Sequence, residues 1–364
     1  MRISTRGAVI GGAWVRGDIE VEEGILTRVG LPSTGRGSVV PTLVDLQVNG
    51  YGGVDFNAAG EDEARAALRA LARDGVLHVQ PTLITDSEEN IAHRLGVLGG
   101  LEPRADEARI VGVHAEGPFL SPAHRGVHRP EYLRDPDFEI VRRMLAAGPL
   151  RTITVAPELP GARELIERAA AAGVIVQAGH SGADVDTANA GFNAGASAVT
   201  HLFNGMIAFG HRSPGIAGAT LAREDIAIQL IADDIHLSPE TSIFAVRAAE
   251  HRIMLVTDAS SAAGAGDGTF TVGGFQITVT EGVPRLPDGT LAGSTVTLFE
   301  QVAKLVERGW ALDRAVNLAS RAPARFYGLG GVGELQIGRP ANLIIADDEL
   351  RITRVLRAGI EVAA

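Results

Sequence analysis

The chain has 364 residues, 45% of them hydrophobic and 21% charged, with a formal net charge of −11 at pH 7. That balance belongs to a folded globular protein and excludes wholesale disorder, while the acidic charge disfavours broad contact with nucleic acid or an anionic membrane surface. Cysteine is absent, so disulfides, thiolate zinc sites and thiol catalysis are excluded as well.

Residues 1–38 read as short antiparallel strands: Ala8–Ile10, Ala13–Val15, Ile19–Val21 and Ile25–Thr27, with glycines at 11, 12, 17 and 24 between them. The opening MRISTRGAVIGG has no apolar signal-peptide core, and no run approaches the ~18 apolar residues of a membrane span. The expectation is a cytoplasmic protein with no nucleic-acid or membrane partner.

From residue 39 the pattern changes. Eight short apolar runs follow: 39–48, 76–84, 110–114, 152–156, 174–178, 198–202, 226–232 and 253–257. Ala/Leu/Arg/Glu-rich helical stretches separate them, clearest at 61–74, 136–147, 162–172, 185–194 and 239–250. Buried runs alternating with helices indicate parallel βαβ units, and eight of them indicate a (β/α)₈ TIM-type barrel, with a doubly wound open sheet as the alternative.

Beyond the eighth run, strands at 270–272, 275–279 and 283–286 predict a β-hairpin inserted near 268–290. Helices follow at 295–308 and 312–320, then short strands at 333–335, 343–346 and 352–357. The predicted organisation is α/β: a barrel over 41–329 beside a small β-sandwich domain built from both chain ends, 1–40 and 330–364.

Polar residues fall where the apolar runs stop, which in such barrels is the active-site face. Gln47 and Asn49 end the first run, His114 and Glu116 the third, His180 the fifth and His201 the sixth; His236 follows the seventh and Asp258 ends the eighth. Glu116, His180 and His201 form the best metal constellation, because two imidazoles and a carboxylate suit a catalytic Zn²⁺ with an open position for water. Asp258 reads equally as a proton-transfer group or as a cap or Asx-turn residue.

At these strand ends the sequence resembles the amidohydrolase superfamily, and within it the branch that deacetylates amino-sugar phosphates. The stretches that carry the resemblance are PTLVDLQVNGYGGVDFN (41–57), HAEGPFLSPAHRGVH (114–128), APE (156–158), GHS (179–181), THLFNGM (200–206), RSPG (212–215), LVTDA (255–259), LAGS (291–294) and GRPAN (338–342). The resemblance implies hydrolysis of the acetamide of N-acetylglucosamine 6-phosphate to glucosamine 6-phosphate and acetate. It implies one divalent metal ion, Zn²⁺, on Glu116, His180 and His201, with Asp258 as acid/base and His128 polarising the acetamide carbonyl. Asn204 and Gly205 would contact the sugar phosphate. Arg212 and His236 would serve the phosphate, partly from a neighbouring subunit, which implies a homodimer. Alternatives are another N-acetylated sugar or sugar phosphate, such as N-acetylgalactosamine 6-phosphate, and a non-catalytic sugar-phosphate sensor.

Two positions depart from the common pattern. Gln47-Val48-Asn49 stands where many superfamily members have His-x-His, which implies a single metal. Asp234, where Gly is more usual, is expected to add negative charge beside the phosphate pocket. The other histidines read blandly: His78 packed in its strand, His93 and His251 at the surface, His124 and His211 in loops. Gly264–Gly268 reads as a turn, and Lys304–Arg308 as a solvated helix face.

Overall fold

In the computed structural model, which describes residues 1–362, all eight apolar runs contribute a strand to one parallel ring. The strands are β1 (Leu43–Val48), β2 (Val76–Ile84), β3 (Val113–Glu116), β4 (Leu150–Val155), β5 (Ile175–Ala178), β6 (Ala196–Val199), β7 (Ala227–Leu230) and β8 (Ile253–Leu255). Each pairs in parallel with the next from β1 to β8. A parallel bridge between Val48 and Ala259 completes the ring.

Helices α1 (Glu61–Arg73), α2 (Glu88–Gly99), α3 (Phe138–Ala147), α4 (Ala162–Ala171), α5 (Val185–Asn193), α6 (Gly215–Ala222) and α7 (Pro239–Ala249) lie between successive strands, and α8 (Leu298–Glu307) follows β8. The described residues therefore contain eight β/α units. In α1 the buried residues Ala64, Ala67, Leu68 and Leu71 recur at helical spacing, and three acidic residues occupy the first turn, where the helix dipole favours them. Thr297 starts α8 with a capping box closed by Glu300. Helices α2 and α6 are faint in the sequence. Gly96 and Gly99 weaken α2, and α6 (GIAGATLA) has no polar face to give it a period.

The run at 39–48 is two strands, not one. Ser38–Pro41 belongs to a different sheet, and only Leu43–Val48 enters the barrel. The run at 110–114 also shifts: Arg109–Ile110 pairs with β2, and the barrel strand is Val113–Glu116. No strand forms at 333–335, although Leu335 is buried.

Beside the barrel, a six-stranded sheet joins both chain ends in the order 360–361, 352–357, 343–346, 38–41, 7–10 and 13–16. A three-stranded sheet of Arg2–Ile3, Asp18–Glu22 and Ile25–Leu31 completes the sandwich. Ile3, Ile19, Leu26, Val39, Leu343 and Leu356 share one apolar core there. The insertion after β8 is a three-stranded antiparallel sheet of Gly268–Val272, Phe275–Thr280 and Val283–Arg285. Arg129 donates to the carbonyls of Gly273 and Gly274 at its turn, and Gly273 N–H donates to Asp55 at 2.8 Å, so the insertion is tied down over the barrel mouth. Among the described residues no helix is long and apolar enough to cross a membrane.

Candidate active site

The polar residues expected at the strand ends come together at the C-terminal mouth of the barrel. Glu116 is the last residue of β3, and His180, His201 and Asp258 lie two or three residues past β5, β6 and β8. Glu116, His180 and His201 are buried and Asp258 is half-buried. Glu116 Oε1 lies 3.2 Å from His180 Nε2 and 3.0 Å from His201 Nε2, and the two Nε2 atoms are 3.1 Å apart.

His180, His201 and Asp258 adopt left-handed backbone conformations, with φ of 47°, 28° and 49°. Such a conformation costs a residue with a Cβ about 1–3 kcal/mol, and it persists only where neighbours over-determine it. Here they do. Glu158 accepts from Ser181 Oγ at 2.7 Å and from Gly182 N–H at 2.6 Å, which pins the turn after His180. Leu202 N–H donates to the Gln229 carbonyl at 2.8 Å, beside His201. Asp258 N–H donates to the Gln47 carbonyl at 2.9 Å.

Hydrogen bonds place a ring proton in two of the imidazoles. His180 Nδ1 lies 2.8 Å from the His124 carbonyl, which can only accept, so Nδ1 carries a proton; Nε2 faces Glu116 and His201. His128 is the reverse case. The backbone N–H of Thr85 donates to its Nδ1 at 3.1 Å, so a neutral ring carries its proton on Nε2. Burial, then the nearby charge of His180, pushes the His128 pKa down to about 3, which keeps the ring neutral and donating.

The two carboxylates differ. Burial works to raise Glu116, but hydrogen bonds and charge from His180 and His201 hold it well below the usual range. Burial and then the charge of Glu116 push Asp258 up. Gln47 Nε2 donates to Glu116 Oε1 at 2.9 Å and to Asp258 Oδ1 at 3.0 Å, and Asn49 Nδ2 donates to the same Oδ1 at 2.7 Å.

Glu116, His180 and His201 could hold a metal ion. Their donor atoms all lie within 4.8 Å of one another. A tetrahedral ion with ligands about 2.0–2.2 Å away separates its donors by about 3.3 Å, close to the spacings of this group. Gln47 and Asn49 add no imidazole, and their amide nitrogens are engaged by carboxylates, so the donor set fits one ion.

A cavity of about 200 Å³ opens over this group. Glu116, His128, His180, His201, Asn204, Gly205, His236 and Asp258 all line it. Arg212 does not: it sits on an exposed loop away from the cavity walls. His236 is oriented by Asp233, whose Oδ2 lies 2.7 Å from Nδ1 and whose Oδ1 accepts from the backbone N–H groups of Ile235 and His236.

Asp234 corrects two expectations at once. Its carboxylate lies 3.0 Å from Lys304 Nζ and 2.6 Å from an Arg308 nitrogen. Its negative charge is thus matched by two cations of α8 and its edge, and Lys304 and Arg308 are not merely a solvated helix face. His114 lies in the barrel interior, 2.7 Å from Thr154 Oγ1. His251 is exposed beside Glu224, His93 and His211 are exposed, and His78 is half-buried.

Several functional neighbours escaped the sequence reading: Asp45, Thr85, Glu158, Asp233 and Thr257. One signal was present. Asp45, Gln47 and Asn49 alternate with Val44, Leu46 and Val48, and period-two spacing puts the three polar residues on one strand face. Thr85 acts through its backbone N–H, which residue type cannot reveal.

The model of the amidohydrolase family matches residues 38–362, and the chain belongs to that family, whose members are metal-dependent. Among curated proteins it is 34% identical over 324 residues to the N-acetylgalactosamine-6-phosphate deacetylase of Escherichia coli O157:H7, covering 88% of this chain and 86% of that protein. It is 35% identical over 340 residues to the human N-acetylglucosamine-6-phosphate deacetylase, covering 88% and 82%. The solved N-acetyl-D-glucosamine-6-phosphate deacetylase of Mycobacterium smegmatis superposes with a TM-score of 0.92 at 32% identity, covering 100% of both chains.

Proposed function

We propose that this protein hydrolyses the acetamide of N-acetylglucosamine 6-phosphate, giving glucosamine 6-phosphate and acetate. The observation that carries the reading is that a raised carboxyl, a neutral imidazole donor and a three-donor metal group face one small cavity. Family membership and the names of the relatives support the substrate class.

Glu116, His180 and His201 would hold one divalent ion, with Zn²⁺ the species that suits two imidazoles and a carboxylate. When bound, it would supply Lewis acidity at the carbonyl and activate water near neutral pH. Asp258 takes the proton of the attacking water and passes it to the departing amine nitrogen as the C–N bond breaks. Its Oδ1 is held by Gln47 and Asn49, and its raised pKa suits it to carry a proton between these steps. His128 donates its Nε2–H to the carbonyl oxygen as negative charge develops there. The products are the free amine and acetate.

His236, Asn204 and the backbone at Gly205 would hold the sugar phosphate within the cavity. Arg212, exposed on its own subunit, would reach the phosphate of a second copy, which makes the active form a homodimer. Binding energy at the phosphate, remote from the amide, would fix the geometry of attack. The proposed location is the cytoplasm, and the 1–40 plus 330–364 segments are proposed to act as one small domain that supports the barrel over 41–329.

Acetate release tests the reading. Chelator-treated protein, with and without added Zn²⁺, is assayed on N-acetylglucosamine 6-phosphate, its galacto epimer and the unphosphorylated sugar. Zn²⁺-dependent release, fastest from the gluco phosphate, is expected. Faster release from the galacto phosphate would move the assignment to the epimer. Ligand binding without release from any of the three would favour a sensor.

A further inference from the structure

The ring of eight strands has one seam that is built differently. From β1 to β8 each strand joins the next through ladder pairs, whereas β8 returns to β1 through a single bridge, Val48 with Ala259. Two backbone bonds flank that bridge, Asp258 N–H to the Gln47 carbonyl at 2.9 Å and Asn49 N–H to the Ala259 carbonyl at 2.8 Å. One step deeper, a side chain takes the place of the ladder. Asp45 Oδ1 accepts from the backbone N–H of Thr257 at 3.2 Å and of Gln47 at 3.3 Å, and Oδ2 accepts from the Thr257 hydroxyl at 2.7 Å.

The Thr257 hydroxyl in turn accepts from Ala259 N–H at 3.1 Å. Asp45 therefore grips Thr257 directly and Ala259 through it, the residues on either side of Asp258. The same carboxylate fixes Gln47, whose side chain reaches both Glu116 and Asp258. Asp45 is fully buried and does not line the cavity, so it cannot touch substrate.

We propose that Asp45 is a positioning residue: by closing the β8–β1 seam it holds Asp258 in its left-handed conformation, with its carboxyl group set for proton transfer. The role rests on the amide hydrolysis proposed above. Burial pushes the Asp45 carboxyl up to about 7, so the fold retains there a group that is costly to bury. Val44 and Leu46, its neighbours on the other strand face, are ordinary apolar packing.

The test uses the metal-loaded full chain and four variants: Asp45→Ala, Asp45→Asn, Thr257→Val and Thr257→Ser. For each, kcat, KM, bound metal and backbone hydrogen exchange over 45–49 and 255–260 are measured. Asp45→Ala and Thr257→Val are expected to lower kcat by about 10–100-fold, since small misplacements of a reacting group cost that much. KM and metal content should stay within about twofold, and exchange at the seam should rise. Asp45→Asn keeps an oxygen for the two N–H donors, and Thr257→Ser keeps the hydroxyl, so both should retain most of kcat.

A folded Asp45→Ala with wild-type kcat overturns the proposal. So does a parallel loss of kcat, KM and metal, which marks general loosening, or an Asp45→Asn as impaired as the alanine variant. If Asp45→Ala does not fold, the two Thr257 variants decide. If the wild type hydrolyses no N-acetylated sugar phosphate, the functional reading fails by itself, and the exchange data still decide whether Asp45 closes the seam.

Discussion

In the sandwich, Asp18 is buried with donors on both carboxylate oxygens. Oδ1 accepts from the N–H groups of Thr5 and Thr34, each at 3.0 Å, and Oδ2 from Thr34 Oγ1 at 2.6 Å and Arg2 Nε at 2.9 Å. At the barrel mouth Asp258 is half-buried, and its two side-chain donors, from Gln47 and Asn49, share Oδ1. Among the described residues no donor reaches Oδ2. Burial works to raise both pKa values. The donors around Asp18 outweigh burial and hold it far below the ordinary 3.8, while the Glu116 charge adds to burial and Asp258 stays high. The number and charge of the neighbours, not burial, separate a carboxylate that braces the fold from one available for proton transfer.

The comparison breaks most visibly at Asp258. Asp258→Asn keeps the oxygen that accepts from both amides but cannot carry the proton, so kcat for acetate release should fall about 10³-fold with metal content unchanged. His128→Ala removes the neutral Nε2–H donor and should cost about 10²–10³-fold in kcat, read in the same assay. Asp18→Asn should leave kcat unaltered and lower the unfolding free energy by about 2 kcal/mol, because buried donors lose a charged acceptor; denaturant titration reads it.

Acid sharpens the same contrast. The folded pKa of Asp18 lies below its unfolded value of 3.8, so the unfolded chain takes up this proton first. Its stabilising contribution is complete well above that value and is lost as pH falls through and below it. The stability difference between wild type and Asp18→Asn should therefore shrink from pH 6 to pH 3. The smallest effect is expected at Asp234. Lys304 and Arg308 already match its charge, and its φ of 69° suits glycine. Asp234→Gly should change KM for the phosphorylated sugar less than about twofold and stability by under about 1 kcal/mol.

Much of this was legible in the sequence. The eight buried runs are continuous apolar stretches because both faces of a parallel sheet are covered, so the barrel is visible without tertiary information. Glu116, His180, His201 and Asp258 stand out because each ends such a run. What stayed hidden depends on contacts between distant segments. The split between sandwich and barrel is marked only by Pro41 and Thr42, too short a break to separate two strands without the sheet pairings. The tautomer of His128 depends on a backbone N–H 43 residues away. The cations on Asp234 come from residues 70 and 74 positions further along the chain.

The most direct test of the account measures turnover and unfolding free energy together on metal-loaded wild type, Asp18→Asn and Asp258→Asn. A crossed result is expected: Asp258→Asn loses turnover and keeps or gains stability, while Asp18→Asn loses stability and keeps turnover. Retained turnover in Asp258→Asn, or a loss of stability there as large as in Asp18→Asn, would contradict it.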